Sequence, residues 1–98
     1  MSNKNLLYKK KILVYGLGKS GIASYKYLNK ENECKIIDDN KKNIPLKLRK
    51  KTINYSKLKK CNFDYIVLSP GIDINKCKQS EYLKKNKSKV ITDLDVFC

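Results

Sequence analysis

Residues 12–21 read Ile12-Leu13-Val14-Tyr15-Gly16-Leu17-Gly18-Lys19-Ser20-Gly21. Four consecutive apolar residues end at a glycine, the pattern of a short strand buried on both faces. From Ser20 to about Lys30 the period changes, with Gly21, Tyr25 and Leu28 at i, i+4 and i+7, one face of a helix. Between the two lies G-x-G-x-x-G. That pattern is weak alone, and the strand before it and helix after it are the context that gives it meaning. Gly16 permits the tight turn, Gly18 lets a phosphate approach the backbone, and Gly21 lets the helix pack on the sheet. The amides of Lys19, Ser20 and Gly21 then face an anion, assisted by the helix dipole. The Ser20 hydroxyl is expected to cap the helix.

The alternation continues down the chain. Glu33 to Ile37 is expected to be a strand, ending at the turn cluster Asp38-Asp39-Asn40. Asn40 to Lys51 reads as a polar, lysine-rich loop with one irregular turn, interrupted by Ile44, Pro45, Leu46 and Leu48. A short strand near Thr52-Ile53 and a helical turn over Ser56 to Lys60 follow. Tyr65 to Leu68 is the next strand, stopped by Ser69-Pro70-Gly71; Lys76 to about Asn86 suits a helix and Lys89 to Thr92 a last strand. Strands alternating with helices imply right-handed crossovers and a parallel sheet. The expected fold is α/β and Rossmann-like: five parallel strands in order 3-2-1-4-5, with helices on both faces, in one domain over residues 1–98.

Ligands of such sheets bind at the carboxyl ends of the strands. Asp38 lies 17 positions after Gly21, where an acid that holds a ribose is expected, with Asp39 and Asn40 beside it. Ser69, Pro70 and Gly71 end the fourth strand on the same edge and are placed to wall a nucleoside.

Composition bounds the reading. With 98 residues, 41% apolar and 33% charged, the chain is an ordinary small domain rather than a disordered segment. No apolar run approaches the roughly 20 residues of a membrane span, and Met1 to Lys11 lacks the apolar stretch of a signal peptide. A soluble, cytoplasmic protein is expected, without a membrane partner. The net charge of +14 comes from 23 cations against 9 acids, but Arg49 is the only arginine. Lys, Asn, Ile and Tyr make up 49 of the 98 residues, and their codons are AT-rich, so base composition explains the lysines. Readers of bases and phosphates favour the arginine fork, so nucleic acid is not an expected partner.

Cys34, Cys61, Cys77 and Cys98 form no C-x-x-C pair, and there is no histidine, so no metal site is expected. Cys34 falls in an apolar strand pattern and reads as core. Without histidine, any acid–base chemistry would fall to Asp, Glu, Lys or Tyr.

Taken together, GLGKSG (16–21), IIDD (36–39), IVLSPGI (66–72) and TDLDVFC (92–98) resemble the N-terminal domain of the D-glutamate-adding Mur ligases of peptidoglycan synthesis. The resemblance runs from Lys11 to Cys98 with all four landmarks in order. It implies a domain that binds the UDP part of UDP-N-acetylmuramoyl-L-alanine. Lys19 and Ser20 would lie at the diphosphate, Asp38, Asp39 and Asn40 around the uracil and ribose, and Gly71 beside the nucleoside. The chain departs from the family after Asp38, where members carry Thr or Ser and then Arg or another polar residue. In the family a central domain with a G-T-N-G-K-[ST] phosphate loop follows, and no such loop occurs in these 98 residues. ATP and Mg2+ are therefore expected only for the full-length ligase, with no cofactor and no catalytic residue in this chain. Its expected partners are the UDP-sugar peptide substrate and the missing ligase domains, and the chain itself is expected to be a monomer. In the family's reaction ATP phosphorylates the substrate carboxylate and the amine of D-glutamate attacks the acyl phosphate. Alone, the 98 residues are expected to release no phosphate when given both substrates and ATP.

A free-standing NAD-binding module, redox or regulatory, would use the same glycine turn. The glycines do not separate the two, since both ligands carry a diphosphate. The SPGI loop and the TDLDVFC end lean toward the ligase. A basic polyanion-binding protein rests on charge alone.

Overall fold

The apolar run at residues 12–15 becomes the centre of the sheet. In the computed structural model, which describes residues 9–92 and Val96, β1 (Lys11–Tyr15) pairs in parallel with β2 (Glu33–Ile37) on one side and β3 (Tyr65–Leu68) on the other. β4 (Val90–Ile91) lies outside β3, also parallel, giving the order β2-β1-β3-β4. Tyr15 stands opposite both Ile37 and Leu68, so three strands end level at the carboxyl edge.

The alternation of side chains along each strand divides the core in two. Ile12, Val14, Cys34, Ile36 and Val67 pack with Tyr25 and Leu28 of α1 (Lys19–Leu28) and with Val96. Leu13, Tyr15, Ile37, Ile66 and Leu68 pack on the other face, with Leu58 of α2 (Tyr55–Leu58), Phe63, and Leu83 of α3 (Ser80–Lys85). Helices therefore cover both faces, and Ile12 to Tyr15 have no exposed surface.

The sequence reading needs correction at three places. The sheet has four strands among the described residues, not five. The strand expected at Thr52-Ile53 is a single bridge, Ile36 to Thr52, with the Ile53 amide donating to the Ile36 carbonyl at 3.2 Å. A 3-10 segment, Leu46–Lys51, runs up to Thr52, and Tyr55 already begins α2, so no length remains for a ladder. The loop expected over 40–51 contains this segment and a second, Lys41–Asn43. Finally, the helix expected from Lys76 starts only at Ser80. Asp73 turns the chain first: its side chain accepts from the Asn75 amide at 2.8 Å and its carbonyl from the amides of Lys76 and Cys77. Most of the TDLDVFC end (Asp93 to Asp95, Phe97 and Cys98) lies outside the described residues, and Thr92 and Val96 are the parts within them.

Cys34 is a core residue, and burial pushes its thiol from an ordinary 9.0 up to about 12. Above its unfolded value the thiol ionises only in the unfolded chain, so stability falls as pH rises toward the folded value. Urea midpoints are expected to drop between about pH 9 and 10, and Cys34→Ala, though less stable at neutral pH, is expected to flatten that interval. A wild-type slope retained in Cys34→Ala would assign the effect elsewhere. No helix among the described residues is long and apolar enough to cross a membrane.

Candidate functional site at the carboxyl edge of the sheet

The glycine turn leaves β1 with Gly16 at φ +94°, a conformation that favours glycine. The Gly16 amide donates to the Ile37 carbonyl at 2.8 Å. A Cβ there would also run into the Ile72 side chain and stand 2.8 Å from Ser69 Cβ. The first and third motifs of the sequence are thus in van der Waals contact. At Gly21 a Cβ would fall on the Gly16 carbonyl oxygen, so the helix is seated against the turn. Gly18 is the opposite case, since a Cβ there meets nothing within 4 Å among the described residues. Two glycines close the turn and the third leaves space above it.

Gly18 is the N-cap of α1, and the Ile22 amide, donating to the Gly18 carbonyl at 3.0 Å, makes the first bond along the helix. The amides of Lys19, Ser20 and Gly21 precede it and have no acceptor within the helix. Because α1 begins at Lys19, Ser20 is inside the first turn and does not cap, contrary to expectation. Its Oγ is shielded from solvent and has no hydrogen-bond partner among the described residues.

Asp38 and Asp39 diverge. Asp38 Oδ2 accepts from the Leu17 amide at 2.6 Å and Oδ1 from the Asn40 amide at 2.8 Å, fastening the end of β2 to the glycine turn. Asp39 Oδ1 accepts from the hydroxyls of Tyr15, at 2.6 Å, and Tyr55, at 2.8 Å, while Oδ2 accepts from the Lys78 amide at 3.1 Å. Asn40 is exposed and accepts from the Lys42 amide at 3.1 Å. The Ser69 amide donates to the Tyr15 carbonyl at 3.1 Å, and the Ile72 amide closes a turn onto the Ser69 carbonyl at 3.0 Å. Pro70 and Gly71 are exposed at the tip of that turn, and a Cβ at Gly71 would meet nothing within 4 Å.

Beyond Asp38 opens a cleft of about 520 Å³. Its apolar lining is Ile37, Ile44 and Ile53 with Tyr55, and its charged lining is Asp38, Lys41, Lys42 and Arg49. Apart from Asp38, sequence reading missed this group. The available signal was Arg49, the one arginine in a chain of lysines. A second, more open hollow of about 620 Å³ lies at the opposite, amino edge, lined by Lys9, Lys10, Lys11 and Lys30, away from every motif.

Burial alone would raise the Asp39 carboxyl, but the bonds from Tyr15, the Lys78 amide and Tyr55 hold it below the usual carboxylate range. Burial and the same carboxylate raise the Tyr15 hydroxyl and push that of Tyr55 up to about 12. A depressed carboxyl stabilises the fold above its unfolded value, about 4, and that contribution is lost as pH falls through the folded value. Denaturation between about pH 5 and 2 is expected to show this loss, with a shallower acid limb in Asp39→Asn. An unchanged limb would remove Asp39 as its source.

The family model described as Mur ligase MurD-like, N-terminal domain, matches residues 10–92. No curated protein and no solved structure gives a match. The matched span takes in all four strands, the glycine turn, Asp38 to Asn40 and the Ser69–Ile72 turn. Covering most of the sequence, that match establishes that the chain belongs to the MurD-like N-terminal domain family of the Mur ligases.

Proposed function

We propose that this domain binds the UDP moiety of UDP-N-acetylmuramoyl-L-alanine for an ATP-dependent D-glutamate ligase acting in the cytoplasm. The observation that carries the reading is the open space over Gly18, at the start of a helix whose first amides have no acceptor within it. A diphosphate there would take the amides of Lys19, Ser20 and Gly21, with the Lys19 ammonium beside it. Asp38 orders the turn through Leu17 and borders the cleft, so a ribose passing it would put the base against Ile53 and Tyr55. The exposed Pro70-Gly71 tip would form the facing wall.

ATP and Mg2+ do not fit these residues. Gly18-Lys19-Ser20 has the last three residues of a phosphate loop, but the glycine required five positions earlier is Leu13, fully buried in β1. The Ser20 hydroxyl, which would ligate the metal, is shielded. ATP chemistry in the proposed ligase thus belongs to other parts of the enzyme.

Titrating the labelled protein with UDP, NAD and NADP by NMR tests the reading. UDP should bind more tightly, shifting the amides of Lys19 to Gly21 and of Tyr55. Preference for NAD would sink the ligase assignment in favour of a dinucleotide module.

A further inference from the structure

Three segments converge on one carboxylate under the carboxyl edge. The Tyr15 and Tyr55 hydroxyls and the Lys78 amide all donate to Asp39, and the Tyr15 oxygen in turn accepts from the Gln79 amide at 3.3 Å. The Lys78 ammonium adds a bond to the Asp39 carbonyl at 3.4 Å. An ionised carboxylate suits this junction because it accepts at both oxygens and brings no donor of its own. An asparagine would present an NH2 to one of the donors.

Tyr15 has a second role in the same place. Its carbonyl accepts from Ser69 at one end of segment 69–79, and its hydroxyl accepts from Gln79 at the other. The segment between carries the Pro70-Gly71 tip, and its Ile72 side chain rests against Gly16. One residue therefore closes both ends of the loop that faces the glycine turn, while having no exposed surface with which to touch a ligand. Closing a loop at both ends removes conformational freedom that binding would otherwise have to remove.

We infer that Tyr15 and Asp39 are positioning residues, a buried clasp that holds the Ser69–Gln79 loop at a fixed distance from the glycine turn so that a nucleoside diphosphate meets both walls at once. This rests on the proposed UDP reading for its ligand, and it assigns Asp39 to the scaffold rather than to the uracil. The clasp also holds the start of α2 through Tyr55, which lines the cleft, so both sides of the nucleoside wall depend on one carboxylate.

Tyr15→Phe and Asp39→Asn, alone and combined, test the inference in the 98-residue protein. Amide hydrogen exchange is measured without ligand, and affinities for UDP and for inorganic pyrophosphate are measured by NMR titration. In Tyr15→Phe the Gln79 amide, which loses its acceptor, and the adjoining Lys78 amide should exchange about tenfold faster, as for loss of one hydrogen bond to a charged group, while Ser69, whose main-chain acceptor is kept, and Val14 and Val67 stay unchanged. UDP binding should weaken by a similar factor and pyrophosphate binding by less than about twofold. The double variant should be no weaker than the weaker single one, since both remove the same junction. Unchanged exchange at Lys78 and Gln79 would overturn the inference. So would normal UDP affinity in Tyr15→Phe beside a loss in Asp39→Asn, which would make Asp39 a direct contact. Equal losses for UDP and pyrophosphate would show general loosening and overturn it too. If the unaltered protein binds no UDP, the proposed function fails, and the exchange rates alone decide the clasp.

Discussion

Gly21→Ala is expected to destabilise the domain by roughly 3 kcal/mol, the upper end for overpacking, out of a total of about 5–15 kcal/mol for a domain. The sign is the informative part. In an exposed helix the same change is favourable, by up to about 1 kcal/mol of helix propensity. Here the new methyl would fall on the carbonyl oxygen of Gly16. That oxygen belongs to a turn already held by the Gly16 amide bond to Ile37 and by the side chains of Ser69 and Ile72, so it has nowhere to retreat. Urea denaturation gives the value. A variant as stable as the parent, or more so, would mean that α1 can slide away from the turn.

Gly18→Val is expected to do the reverse: keep the fold and lose the ligand. Gly18 has φ −71°, accessible to any residue, and its Cβ would have open space around it. Valine at an N-cap is a poor choice and is expected to cost about 1 kcal/mol, with far-ultraviolet circular dichroism unchanged. The isopropyl group would occupy the place from which a phosphate reaches the helix amides. UDP affinity is expected to fall on the order of a hundredfold, equivalent to two charge-assisted hydrogen bonds. Normal affinity would show that the ligand sits elsewhere. Together the two glycine variants separate what the motif does for packing from what it does for binding.

The central strand, the turn and α1 were legible in the sequence because their signals are local. The apolar run ends at Gly16, and the helical period begins within a residue of where the helix does. The edge strand at Thr52 was not, because a two-residue β-branched pair becomes a strand only if its neighbours leave room. The Ser20 cap failed for a related reason: a helix start displaced by one residue changes a capping hydroxyl into an interior one. The divergence of Asp38 and Asp39 was readable but unread. Ile37 packs on the face of Tyr15, and the next residue on that side of a strand is 39, not 38. Arg49 had no local pattern to place it, since only the folded 3-10 segment brings it to the cleft.

The contact of Gly16 with Ile72 has a consequence for how the protein is made. β1 reaches β2 early, pairing Ile12 with Cys34, but its other neighbour is far along the chain, Ile12 facing Tyr65. Pairings so distant in sequence form late, because the intervening chain must first be closed into a loop. During synthesis the whole glycine signature leaves the ribosome long before the turn that packs against it. A nascent chain that has reached Asp39 holds every residue of the cradle, yet lacks Ser69 and Ile72 against Gly16 and Lys78 on Asp39. The glycine turn is thus made well before Ser69, Ile72 and Lys78, and it is locked only once they have followed.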